Sequence, residues 1–286
     1  SDTNLFFTLV DGNAAESGAG LFNAAPASTT VTGTLFIANL AADSGAGIAN
    51  HGNLDLDNSI LWANIAQNDG GGMANMTADG PAANVSNSTF YQNQSVAGSG
   101  GGLYNGASGS SWTTLNNVTI GSNNAALDGG GIASAGEGQI VVASSTIAGN
   151  SAGGSGGGIA SSDPVTEHVR IRNTILTDNN GDNLETTENC SGPLTSQGYN
   201  LDSGDGCPFT EPGDISNGNA ALDSLAPADP LTVLQGNITP AYDLLAESQA
   251  INAANPADCY NALNLNNNGM PLQTDQWGEA RVKQLR

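Results

Sequence analysis

His168, Arg170 and Arg172 form the one cationic cluster ahead of Arg281, and Asp178 and Asp182 follow close behind. An arginine that takes a proton, beside carboxylates that hold Ca²⁺ against an acidic sugar, is the equipment of polysaccharide elimination. Other carboxylates invite a metal reading. Asp55 and Asp57 flank Leu56, so strand alternation would turn both the same way, where they could share a calcium ion. Asp202–Gly206 (DSGDG) has the look of a loop ligand set, but it lacks the Asp/Asn spacing and closing Glu of an EF-hand. His51, in Asn50-His51-Gly52, has no Cys or second His at ligand spacing. For each of these the plainer reading is preferred: solvated charges, ordinary surface carboxylates, a turn and a structural histidine. The sequence names no catalytic residue and no cofactor, and Ca²⁺ is the single ion it leaves open.

Composition narrows the field. The chain has 286 residues, 27 acidic and 5 basic, for a formal charge of −22. That balance repels phosphate, which excludes nucleic acid as a partner and disfavours anionic membranes. Residues 1–169 contain no Lys or Arg, so apolar packing and neutral hydrogen bonds must hold them together. The longest apolar runs, Leu5–Val10 and Ile140–Ala143, fall far short of the ~18 residues of a membrane span. No signal peptide or anchor is visible, so any targeting segments are expected either to have been removed or to lie outside this sequence.

The elements that would position any site follow from a repeat. Gly-rich tripeptides end at Gly20, Gly47, Gly72, Gly102, Gly131 and Gly158, in steps of 27, 25, 30, 29 and 27. An asparagine keeps the same rhythm at Asn13, Asn39, Asn64, Asn93, Asn123, Asn150 and Asn179. Such a period means a solenoid. Three positions before each Asn stand Val10, Phe36, Leu61, Phe90, Ile120, Ile147 and Leu176. Eight before stand Leu5, Val31, Leu56, Val85, Leu115, Val142 and Ile171. After the glycines come Leu21, Ile48, Met73, Leu103, Ile132 and Ile159. Short alternation between these sites predicts an all-β, right-handed single-stranded parallel β-helix with three short strands per coil of about 25–30 residues. The asparagines would stack as an amide ladder and would tolerate left-handed turns. Glycine would serve the sharp corners. A leucine-rich horseshoe lacks its LxxLxLxxN frame here, and a calcium β-roll lacks its Asp after the glycines.

Regular coils are expected over 1–180. An irregular segment with Cys190 and Cys207 continues the solenoid over 181–230, and a weakly periodic segment follows over 231–286, with Ala241–Ile251 as a further strand or short helix. Trp62 and Tyr91 each lie two positions before a ladder Asn in consecutive coils, so both should face outward, one above the other. An exposed aromatic pair can stack on sugar rings or enter a protein contact.

Asn87–Asn93 (NSTFYQN) and Gly100–Asn105 (GGGLYN) look like the repeats of bacterial secreted right-handed parallel β-helix proteins. The C-terminal third resembles the choice-of-anchor Q type, through Asn189–Gly192, Ser196–Asp202, Cys207, Gly213-Asp214, Ser248–Asn252 and Thr274–Arg281. Trp277 stands where that family has Arg, and the chain stops before the family's further Cys. The resemblance implies an extracellular or bacterial cell-surface location with a variable anchor. By that analogy Cys190 pairs with Cys207, while Cys190–Cys259 and Cys207–Cys259 stay open.

The first coil completes the picture. Leu5, Phe6 and Phe7 open the chain's apolar columns with no amphipathic cap ahead of them. Uncapped coils invite head-to-tail stacking or strand donation by another copy. The expectation is a structural surface or matrix protein, a self-assembling filament subunit that stacks through uncapped coil ends, aided by high salt or divalent cations that relieve self-repulsion. A lyase or hydrolase at the arginine face, or a carbohydrate-binding adhesin using Trp62 and Tyr91, are the alternatives.

Overall fold

The computed structural model describes residues 2–78, 80, 82–162, 168–181, 188–225 and 239–254. Asp182, Cys259 and the Thr274–Arg281 motif lie outside the described residues. The chain winds as a parallel β-solenoid. The first coil comprises β1 (Thr3–Phe6), β2 (Leu9–Asp11), β3 (Ala14–Ala15) and β4 (Leu21–Asn23). Each begins one of four parallel sheets, here A to D, of 8, 8, 6 and 7 strands. Three strands per coil match those expected. The fourth, two residues long in sheet C, follows the ladder asparagine and is too short for alternation to mark.

The predicted columns stack in register. Val10, Phe36, Leu61, Phe90, Ile120, Ile147 and Leu176 pair one above the next in sheet B. Leu5 to Ile171 do the same in sheet A, and Leu21 to Ile159 in sheet D. Together they form one continuous core that runs the length of the coils. Since each coil buries its apolar side chains only against its neighbours, stability is a sum of coil-to-coil terms.

Single left-handed residues make three of the four corners of a coil. Between sheets C and D the residue is always glycine: at Gly45 (φ 65°) an added Cβ would meet the Ile48 carbonyl oxygen at 2.5 Å. The other two corners are open enough for side chains. Between A and B the left-handed residue is Phe7, Gly33, Asn58, Asn87, Asn117, Ser144 or Asn173. Between B and C it is the residue just before each ladder Asn, such as Ala38 or Gln92, and not the ladder Asn itself.

The ladder asparagines are sewn into the stack. The Asn93 Nδ2 donates to Asn123 Oδ1 at 3.0 Å and to the Leu61 carbonyl of the coil before at 2.8 Å. The Asn93 Oδ1 accepts from the Asn64 Nδ2 at 2.9 Å and the Asn64 N–H at 3.1 Å. The same amide-to-amide bond joins Asn13, Asn39, Asn64, Asn93, Asn123, Asn150 and Asn179.

The core extends past Asn179 into the segment that follows. There the columns change chemistry: Leu176 pairs with Asp202, Ile171 with Ser196 and Ile159 with Cys190. Cys190 and Cys207 form a disulfide, the pairing the resemblance implied, and pack with Leu194 and Phe209 against the last coil. Ala241–Ile251 is neither strand nor helix. It forms tight turns, with Ser248 N–H to Leu245 and Ile251 N–H to Ser248, plus a bridge between Leu244 and Leu222.

Candidate functional site

Trp62 and Tyr91 stand where alternation places them, adjacent and in register on the outer face of sheet B. Their ring centroids are 6.4 Å apart with planes 49° from parallel. The Trp62 Nε1–H donates to Gln92 Oε1 at 3.1 Å, which fixes the indole. The next position of this outer column is Gly121, which has no side chain to offer. Tyr242 fills that notch from the C-terminal segment: an added Cβ at Gly121 would lie 2.6 Å from its hydroxyl oxygen and 3.2 Å from its ring. The segment is fastened by two hydrogen bonds, Thr89 Oγ1 to the Pro240 carbonyl (2.6 Å) and Thr239 Oγ1 to the Asn87 carbonyl (2.8 Å). Burial pushes the Tyr242 hydroxyl above its ordinary value; a hydrogen bond with Ser122 opposes the shift, while Tyr91 and Asp178 add to it. Three aromatic side chains thus follow one another along sheet B.

Arg170 and Arg172 point outward from sheet A, as the alternation predicts. Arg170 is already engaged: its Nη1 donates to Gln139 Oε1 at 2.8 Å and its guanidinium lies 5.7 Å from the centroid of the Trp112 ring. Asp178 occupies the corner between sheets B and C, so sheet B separates it from the arginines. Asp178 is therefore not brought beside the arginines. His168, beside them, is half-buried.

The other carboxylates are taken up by neighbours. Asp55 Oδ1 accepts from Asn84 Nδ2 (2.8 Å), and Asp57 Oδ1 accepts from Ser86 Oγ (2.7 Å) and Asn87 Nδ2 (2.8 Å). Among the described residues no three His, Cys, Asp or Glu side chains gather as a metal site. His51 packs against the Phe22 ring at 5.2 Å. Asp202 of the DSGDG turn points into the core, where its carboxylate accepts from Asn189 Nδ2 and from the N–H groups of Gly204 (2.9 Å) and Cys207 (3.0 Å). Its work is structural: the ladder's last donor, reached through Asn179 and Asn189, ends on it. Asp214 does the same for Asn200 and Ser196.

The N-terminal coil differs from every other. Phe6, Phe7, Leu9 and Phe22 are 54%, 52%, 50% and 53% exposed. Among the described residues no strand pairs with the outer edges of β1 to β4. Phe7 has φ 48°, a left-handed corner that four other coils give to Asn. A bulky side chain there is strained, and its ring stands exposed on the first coil. Asp2, Asp11 and Glu16 stand exposed around it.

Sequence reasoning missed three features. A second amide ladder, Asn23–Asn50–Asn75–Asn105, lines sheet D. Its signal was present, an Asn two residues after Leu21, Ile48, Met73 and Leu103. Trp112 stacks with Arg170 and could have been found as an outward position of its strand. Tyr242 had no signal, because nothing local places residue 242 beside residue 121. No family model matches the chain, and neither does any curated protein or solved structure.

Proposed function

We propose that this chain is an extracellular structural solenoid whose N-terminal coil pairs edge to edge with a second copy. The observation that carries the reading is the concentration of exposed Phe6, Phe7, Leu9 and Phe22 at an edge with which no strand among the described residues pairs. An edge that offers unmade backbone hydrogen bonds together with apolar side chains is a template for another strand. Pairing of this edge with the same edge of a second copy is isologous and closes at a dimer. Strands of the two copies meet antiparallel across a two-fold axis. Exposed Asp2, Asp11 and Glu16 oppose this contact, and residues 1–169 hold no Lys or Arg to offset them. Pairing therefore strengthens with salt. The disulfide fits an oxidising compartment, and no helix among the described residues is long and apolar enough to cross a membrane.

Sedimentation velocity tests the proposal. The expected result is monomer at low salt and dimer near molar salt, where the Debye length is about 3 Å. Phe7→Asn installs the residue that other coils use at this corner. It is expected to raise the melting temperature of the monomer while weakening the dimer at least tenfold. Monomer at every salt concentration, or undiminished pairing by Phe7→Asn, overturns the reading.

A further inference from the structure

We infer that the Trp62–Tyr91–Tyr242 ribbon is a binding site for a neutral polysaccharide lying along the solenoid axis. Three features select that chemistry. First, the rings recur at successive coils, one coil being about 4.8 Å of rise, so the platform is periodic along one line and suits a polymer with a short repeat. Second, the ribbon is amphipathic. Trp62 is tied to Gln92, the phenol of Tyr242 to Ser122, and polar tips edge the apolar ring surfaces. Sugar rings present the complementary surface, a C–H face bordered by hydroxyl groups, and stacking on aromatics buries the first while amides and phenols reach the second. Third, charge rules out anionic ligands. The column begins at Asp11, the Tyr242 hydroxyl lies within the field of Asp178, and no Lys or Arg stands in residues 1–169. Uronates, sulfated glycans and nucleic acid would be repelled.

The ribbon is also built rather than incidental. Gly121 vacates the third rung, and the C-terminal segment is pinned by Thr89 and Thr239 so that Tyr242 occupies it. Aromatics held by packing and hydrogen bonds lose little entropy when a ligand docks. This site is independent of the N-terminal edge, so its failure and that of the pairing proposal are separable.

Native affinity electrophoresis in gels containing hydroxyethyl cellulose, laminarin or amylose reads the binding, with polygalacturonate as the anionic comparison. The expected result is retardation by at least one neutral glucan and none by polygalacturonate. Trp62→Ala and Tyr242→Ala should each weaken retardation tenfold or more, while Trp62→Phe and Tyr242→Phe, which keep a ring, stay within about threefold. Far-UV circular dichroism and melting curves confirm that each variant is folded. No retardation by any neutral glucan, retardation by polygalacturonate alone, or equal retardation of the alanine variants overturns the inference. So does a change in sedimentation of those variants without a change in retardation, which marks the ribbon as a protein contact.

Discussion

Asn93→Ala removes one rung from the middle of the amide ladder, and its cost can be worked bond by bond. The substitution deletes the acceptor of the buried Asn64 N–H, 3.1 Å away, which leaves that group unsatisfied. It also deletes the bonds of 2.9 Å from Asn64 Nδ2, 2.8 Å to the Leu61 carbonyl and 3.0 Å to Asn123 Oδ1. A buried orphan costs about 1–3 kcal/mol and each further lost bond about 1 kcal/mol, so the total is about 4–6 kcal/mol. Asn124→Ala is the control: the neighbouring residue is exposed, and its loss should fall within about 0.5 kcal/mol. Urea denaturation followed by circular dichroism gives the two stabilities, and hydrogen exchange at the Asn64 amide reports the orphan directly. Asn93→Asp sharpens the test. An ionised carboxylate cannot donate to Leu61 or Asn123, so this variant should be weaker than wild type at neutral pH and recover in part on acidification. If Asn93→Ala and Asn124→Ala differ by less than about 1 kcal/mol, the ladder is not a source of stability and the reasoning fails.

Replacing Cys190 and Cys207 by Ser opens a link between residues 17 apart in sequence and should cost about 3 kcal/mol by loop-closure entropy, read as a lowered denaturation midpoint that matches wild type in reductant. Asp69 has its pKa raised, first by burial and further by Asp43, while the Ser99 N–H pulls it down. Its ionisation therefore opposes folding at neutral pH, and the penalty lifts as pH falls through the raised value and is gone below the unfolded 3.8. Asp69→Asn keeps an oxygen for Ser99, so it should raise the melting temperature at pH 7 and leave it unchanged well into acid. Gly12 (φ 64°) has nothing within 4 Å of an added Cβ, and two other coils place Ala38 and Ala63 at its corner. Gly12→Ala should cost about 1–2 kcal/mol, whereas Gly45→Ala, which drives a Cβ into the Ile48 carbonyl, should prevent that coil from closing, visible as loss of the cooperative melt.

Most of the architecture was legible because the solenoid is built by repetition. A column such as Phe36–Leu61–Phe90–Ile120 is written into the spacing, since each coil must present an apolar side chain at the same place for its neighbours to bury. The amide ladder was legible for the same reason, and the second ladder could have been. The two-residue strands of sheet C were not, because period-2 alternation needs more residues than they contain.

What closes or decorates the stack belongs to tertiary structure alone. Asp202 reads as a turn residue, yet its register beneath Leu176 turns it inward to receive the last ladder donors. Asp178 follows Arg172 closely in sequence, yet a corner of the coil puts it on another face. Tyr242 lies beyond the last strand, Leu201–Asp202, far downstream of the Gly121 notch it fills. Repeated contacts between adjacent coils leave a period in the sequence. A contact made once, between segments 121 residues apart, leaves none, and only the folded chain brings its two sides together.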